Sequence, residues 1–134
     1  MGITIISAKQ FAVKLKATIQ ASGRLGFTAE TAKALGLESG KFAKFAKDDE
    51  KRLLYLIISD EGSEDAFPVR EASGYYYVGA KLMFDWLGFN YESGNIAFDL
   101  VRQSALDDDL HGRVYFMKER KTKTKEKDEQ IITP

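Results

Sequence analysis

Apolar and polar positions alternate over the first long stretch of the chain. Phe11, Val13, Leu15, Ala17 and Ile19 fall between Ala12, Lys14, Lys16 and Thr18, the period-two signature of a strand with one buried face. Lys14 and Lys16 then point outward on one side. A shorter apolar run at residues 3–6 predicts a preceding strand. Ala21-Ser22-Gly23 reads as a turn with Gly23 at positive φ, and residues 25–27 as a short strand. Thr28 suits a helix N-cap and Glu30 the positive helix end. Ala29, Ala32 and Leu35, with Thr31 beside them, form the narrow stripe of a small helix, stopped by Gly36. Glu38-Ser39-Gly40 is a second turn. Residues 42–47 and 52–59 then form a hairpin around a polar tip at 48–50.

The same phrase follows a second time. Ala21-Ser22-Gly23 returns as Ala72-Ser73-Gly74, 51 positions on, Leu35-Gly36 as Leu87-Gly88, 52 on, and Glu38-Ser39-Gly40 as Glu92-Ser93-Gly94, 54 on. The second round predicts strands at 67–71 and 75–78. A helix at 79–87 presents Leu82, Met83, Trp86 and Leu87 as its apolar face. A strand at 96–101, an acidic loop at 104–112 and a last strand at 113–117 follow. Glycines kept at turn and cap positions point to one unit built twice, because glycine there serves backbone geometry. Two copies are too few for a solenoid, so the fold expected is mostly β: one pseudo-twofold barrel of two β-α-β-hairpin repeats with two short helices. The divisions are residues 1–59 for the first half, an acidic linker at 60–65, a diverged second half at 66–117, and a flexible charged tail at 118–134.

Composition adds little to this and charge adds more. The chain has 134 residues, no cysteine and a net charge of zero, which excludes disulfides and thiolate metal sites. The charge is in blocks: residues 9–52 carry ten Lys and Arg against five Asp and Glu, residues 60–110 three against eleven. Such blocks suggest different partners for the two halves, or each other as partner. Residues 1–6 lack a basic leader and no run reaches membrane-spanning length, so a cytoplasmic protein is expected.

The first copy resembles the swapped-hairpin family of AbrB-like transcription factors and antitoxins. The resemblance rests on Gly23-Arg24, the apolar strand at 25–27, Glu30, Leu35-Gly36-Leu37, Gly40 and the hairpin tip Asp48-Asp49-Glu50-Lys51. It covers residues 19–58. The family's usual proline at the helix start is replaced by Thr28, which suits that place equally. The resemblance implies an interlocked barrel and DNA contacts from basic residues around the Gly-Arg turn and on the helix. Arg24 matches the first of these and Lys33 one of the second; Ala17 and Ala32 stand at places that are often basic. The second copy departs, with Tyr75 for Arg24 and Phe84 and Asp85 around the place of Lys33.

Arg24, Lys33, Lys14, Lys16 and Lys44 are therefore the candidate DNA-binding residues, with Lys41 and Lys47 on the same basic stretch. Double-stranded DNA is the expected partner. A second copy of the chain and an acidic or toxin protein are the others considered, and no membrane is expected. Tyr75 and Tyr77 share one strand face, Tyr76 the other, and the pair could stack on bases or simply pack. Trp86 is assigned to the core. His111 after Asp107-Asp108-Asp109 matches no metal spacing, and Ser7, Ser22 and Ser73 have no visible base. No cofactor or catalytic group is expected. The reading is a non-enzymatic DNA-binding regulator or antitoxin. A scaffold that has lost DNA binding is the alternative, and a ligand cradle between the halves is a weaker third.

Overall fold

A computed structural model describes residues 2–8, 14–51 and 53–120 of the chain. Among the described residues there are eight strands: β1 (Lys16–Ile19), β2 (Arg24–Phe27), β3 (Phe42–Asp48), β4 (Leu53–Ser59), β5 (Phe67–Ala72), β6 (Tyr75–Gly79), β7 (Ile96–Arg102) and β8 (Arg113–Glu119). They close into one antiparallel barrel in the order β1-β2-β6-β5-β3-β4-β8-β7. Exchanging β1 with β5, β2 with β6, β3 with β7 and β4 with β8 leaves that ring unchanged. The repeat read in the sequence is thus a pseudo-twofold of the fold. In the β2–β6 ladder Gly26 pairs with Tyr77, residues 51 positions apart, so the axis passes through that pair.

The halves interlock rather than sit side by side. The four hairpins β1–β2, β3–β4, β5–β6 and β7–β8 lie within a half, and the ladders that join them, β2–β6, β3–β5, β4–β8 and β1–β7, all lie between halves. Helix α1 (Ala29–Leu35) follows β2, and α2 (Lys81–Leu87) follows β6. Because β2 and β6 are antiparallel neighbours, the helices leave at opposite ends, and each buries side chains in the same core.

The local signals act as expected in the first half. The Thr28 hydroxyl accepts from the Thr31 amide at 3.2 Å, and the buried Thr31 hydroxyl accepts from the Lys16 amide at 2.8 Å, tying α1 to β1. Gly23, Gly36, Gly40, Gly74 and Gly88 all take positive φ, the conformations the turn and cap assignments require.

Four expectations need correction. Residues 2–7 form no strand, and Ile3, Ile5 and Ile6 are exposed; the eight strands close their ring without them. The apolar face of α2 is rotated: Phe84 is fully buried, whereas Leu82 and Trp86 are 84% and 71% exposed. The helix also starts at Lys81, with Gly79 in β6. A third helix, α3 (Asp107–Leu110), stands inside the predicted acidic loop. Arg102 organises it, with two 2.6 Å hydrogen bonds to the Asp107 carboxylate, which also accepts from the Val114 amide. The hydrogen bond from Arg102 holds the Asp107 carboxyl below the usual carboxylate range. The last strand runs on through Lys118 and Glu119, both paired with β7. The remainder of the predicted tail, residues 121–134, lies outside the described residues, as do residues 9–13 of the predicted first long strand.

Candidate nucleic-acid interface

Strand alternation sorts the four adjacent strands β1, β2, β6 and β5 into two faces. Ala17, Ile19, Leu25, Phe27 and Val78 are buried, and Tyr76, Phe67 and Val69 pack against them. The alternate positions therefore face outward: Lys16 and Thr18 on β1, Arg24 and Gly26 on β2, Tyr75 and Tyr77 on β6, Pro68 and Arg70 on β5. None is a carboxylate. Lys14, exposed just ahead of β1, has the same parity. The next strand round the ring, β7, places Asp99 opposite Lys16, where Arg120 holds it at 2.9 Å. The basic face ends there.

The centre of this face is a stack about the pseudo-twofold axis. The Arg24 guanidinium carbon lies 4.2 Å from the Tyr77 ring centroid, and Tyr77 stacks on Tyr75 at 5.9 Å and 18°. By the repeat, Arg24 corresponds to Tyr75 and Gly26 to Tyr77. Arg24 thus covers Tyr77 as Tyr75 covers Gly26. A Cβ on Gly26 would sit 1.6 Å from the Tyr75 hydroxyl oxygen, so glycine is what lets that ring lie down. The two tyrosines share a face as expected, but they stack on each other, and Tyr77 also meets Arg24.

Burial pushes the Tyr75 hydroxyl above its ordinary pKa, with the Gln20 side chain and Arg24 pulling the other way. Its oxygen is buried, and the Gln20 amide that acts on it makes no hydrogen bond of good geometry. Tyr75→Phe should therefore leave stability unchanged or raise it by up to about 1 kcal/mol, since removing an unsatisfied polar group costs nothing in bonding. Thermal unfolding checks this; a clear loss would show that the hydroxyl is bonded.

Three of the five candidate residues, Lys14, Lys16 and Arg24, lie on this face. Lys33 and Lys44 do not. Lys33, exposed on α1, lines a cleft of about 830 Å³ with Lys41, Asp60, His111 and Arg113. There Lys41 pairs with Asp60, and Arg113 donates to the Leu35 carbonyl at 2.7 Å. Lys44 is on β3, on the far side of the ring from β1, and donates to the Leu110 carbonyl at 3.2 Å. Lys47 is held between Asp49 at 3.0 Å and the Trp86 ring at 4.7 Å. Arg70, which the sequence pattern did not single out, belongs to the face because β5 pairs it with Tyr77. That register is a long-range fact, and no local signal in residues 67–72 carries it.

His111 takes a left-handed conformation after α3, and no group of acidic or histidine side chains able to hold a metal occurs among the described residues. No described helix is long and apolar enough to cross a membrane. Comparison with protein-family models, curated proteins and solved structures gives no match.

Proposed function

We propose that the chain is a non-enzymatic DNA-binding protein of the transcription-regulator or antitoxin type. The observation that carries this reading is the outward face of β1, β2, β6 and β5, where Lys16, Arg24 and Arg70 stand together without a carboxylate. Lys14 extends the same face. The Gly23-Arg24 turn of the AbrB-like resemblance falls at its centre. Phosphates would be met by the four cations, and the contact between Arg24 and Tyr77 pre-positions a guanidinium that would otherwise lose more freedom on binding. Stacking on bases plays no part, since the tyrosine rings are engaged within the chain.

Four phosphate contacts imply a salt slope of about −3.6 for duplex DNA, a loss of roughly a hundredfold between 50 and 200 mM salt. Fluorescence polarisation with a mixed-sequence duplex measures it. Arg24→Ala combined with Arg70→Ala should reduce the slope by about 2. Lys44→Ala should leave it unchanged, because Lys44 faces the other side of the barrel. Absence of binding at low salt sinks the proposal.

The scaffold reading draws on a different element. Leu82 and Trp86 leave α2 with an exposed apolar face, which phosphate binding does not use.

A further inference from the structure

The barrel is not joined equally all the way round. By the pseudo-twofold, the ladder between β3 and β5 is the counterpart of the ladder between β7 and β1. The β7–β1 ladder holds four pairs, from Asp99 with Lys16 to Ile96 with Ile19, and the Leu100 amide extends it by donating to the Leu15 carbonyl at 2.9 Å. The β3–β5 ladder holds two pairs, Phe42 with Pro68 and Ala43 with Phe67. The chain ahead of β5 turns instead of running on along β3, with the Ala66 amide donating to the Ser63 carbonyl at 3.1 Å. A strand's place that is filled in one half is thus left open beside residues 44–48 in the other. A cleft of about 440 Å³ opens there, lined by Lys44, Phe45, Ala46, Phe67 and Met83 among others.

Backbone geometry defines what fits. The Lys41 carbonyl accepts from the Val69 amide at 3.0 Å, so alternate residues from Lys41 onward turn their N–H and C=O toward the β5 side. Beyond Ala43 these are Phe45 and Lys47, and neither amide finds a backbone partner on that side among the described residues. Such a row of donors and acceptors is completed by an extended chain. The open stretch has its centre at Ala46. A second copy of the stretch, laid antiparallel about a twofold through Ala46, sets Phe45 opposite Lys47 of the other copy, and Lys47 opposite its Phe45. Both are hydrogen-bonded pairs, so the free groups of Phe45 and Lys47 are satisfied on each copy. Lys47 supplies backbone only, since Asp49 and Trp86 hold its side chain.

Charge selects the same register. It places Lys44 of each copy opposite Asp48 of the other, and neither residue is in an ion pair among the described residues. Asp48 accepts from the Glu50 and Lys51 amides through one carboxylate oxygen, at 3.1 and 3.2 Å, which leaves the other oxygen for a cation. Lys44 gives one hydrogen bond to the Leu110 carbonyl and has further donors. An unrelated strand would satisfy the backbone alone; this chain's own stretch satisfies the backbone and both charges.

We infer that β3 carries an edge for a second copy of this chain: residues 44–48 of two copies pair antiparallel about Ala46 and join two barrels in a twofold dimer. The contact uses none of the four cations proposed to meet phosphate, so it stands or falls apart from DNA binding.

Sedimentation should show a monomer–dimer transition as the concentration rises to hundreds of micromolar. Lys44→Glu sets a glutamate against Asp48 of the other copy, and Asp48→Lys sets a lysine against Lys44. Each variant alone should associate about tenfold more weakly than the natural chain. Mixed in equal amounts, the two should recover a heterodimer of natural strength, because each repulsion becomes an attraction; that recovery also shows that both variants fold. The chain has no cysteine, which allows a second readout. Ala46 lies on the axis in a non-hydrogen-bonded pair, where the two Cα atoms come about 4.5 Å apart, within disulfide reach. Ala46→Cys chains should cross-link to themselves under mild oxidation about tenfold faster than Val101→Cys chains, Val101 being exposed on β7. The inference is overturned by a chain that stays monomeric at hundreds of micromolar. If the Phe45 and Lys47 amides of that monomer resist hydrogen exchange, the edge is covered by the chain itself. A dimer indifferent to both charge variants, or Ala46→Cys chains that cross-link no faster than Val101→Cys chains, overturns it as well.

Discussion

Cutting the chain between Glu61 and Gly62 should leave two fragments that do not fold as monomers and that fold when mixed. The loop between β4 and β5 is exposed, so the cut removes no buried backbone. What it removes is connection. Alone, the first fragment keeps β1–β2 and β3–β4 and has no ladder between them, because every ladder joining one hairpin to another comes from the second half. An isolated two-stranded hairpin is marginal in water. The apolar inner faces of these two would also lose their cover. Phe45 of β3 packs on Phe84 of α2 at 5.9 Å, and Arg113 of β8 caps the end of α1. Mixing restores every ladder, at a cost set by the lost tether, which in the intact chain acts as a millimolar effective concentration. Far-UV circular dichroism and sedimentation of the fragments, separate and mixed, measure this. A first fragment that assembles with itself at high concentration obeys the same rule, since the twofold supplies an equivalent second half. A first fragment that melts cooperatively as a monomer contradicts the interlocked ring.

Phe84→Ala should cost roughly 3–5 kcal/mol, a large share of the 5–15 kcal/mol expected for a domain. Phe84 is fully buried and sits mid-way in a run of edge-on aromatic rings. Phe67 meets Phe45 at 5.7 Å, Phe45 meets Phe84 at 5.9 Å, Phe84 meets Phe89 at 6.1 Å and Phe89 meets Phe98 at 5.8 Å. The run crosses from β5 and β3 through α2 to β7, so it joins the halves. Removing the central ring loses transfer energy, opens a cavity and breaks two ring contacts at once. The midpoint of thermal unfolding should fall by roughly 10–18 °C, from the usual unfolding entropy per residue. Trp86→Ala, two positions along the same helix, should cost less than about 1 kcal/mol when measured at low concentration, as for other exposed side chains. If the order of the two is reversed, the face of α2 is wrongly assigned.

That pair of substitutions also shows where sequence reading stops. Helix α2 has seven residues, about two turns, and Leu82, Met83, Phe84, Trp86 and Leu87 are all apolar. Periodicity cannot select a face when nearly every position qualifies. In α1 the apolar positions are sparser, and of the stripe read there Ala32 and Leu35, with Thr31 beside them, are buried, whereas Ala29 at the helix start is exposed. The acidic stretch at 104–112 was read as loop because its polar residues carry no helix period. The Arg102–Asp107 pair that orders it depends on a side chain outside the stretch. The basic face was half legible: alternation placed Lys14 and Lys16 outward, and the turn placed Arg24. Lys33 joins them through the resemblance and Lys44 by nearness in sequence, but the closed ring sends the elements of one half to different sides.

The sequence by itself determined the elements and their repetition. Glycines at turns and caps, the Thr28 cap and period-two alternation are local properties of the backbone, legible wherever the chain goes. The matching phrases, 51 to 54 positions apart, make a twofold barrel the natural fold. Tertiary structure alone decided which strands are neighbours, which face of α2 is buried, and that Arg70 lies on the face with Lys16 and Arg24. Those are pairings between residues distant along the chain. They are set by burial against the other half, and the local pattern of either half is compatible with more than one of them.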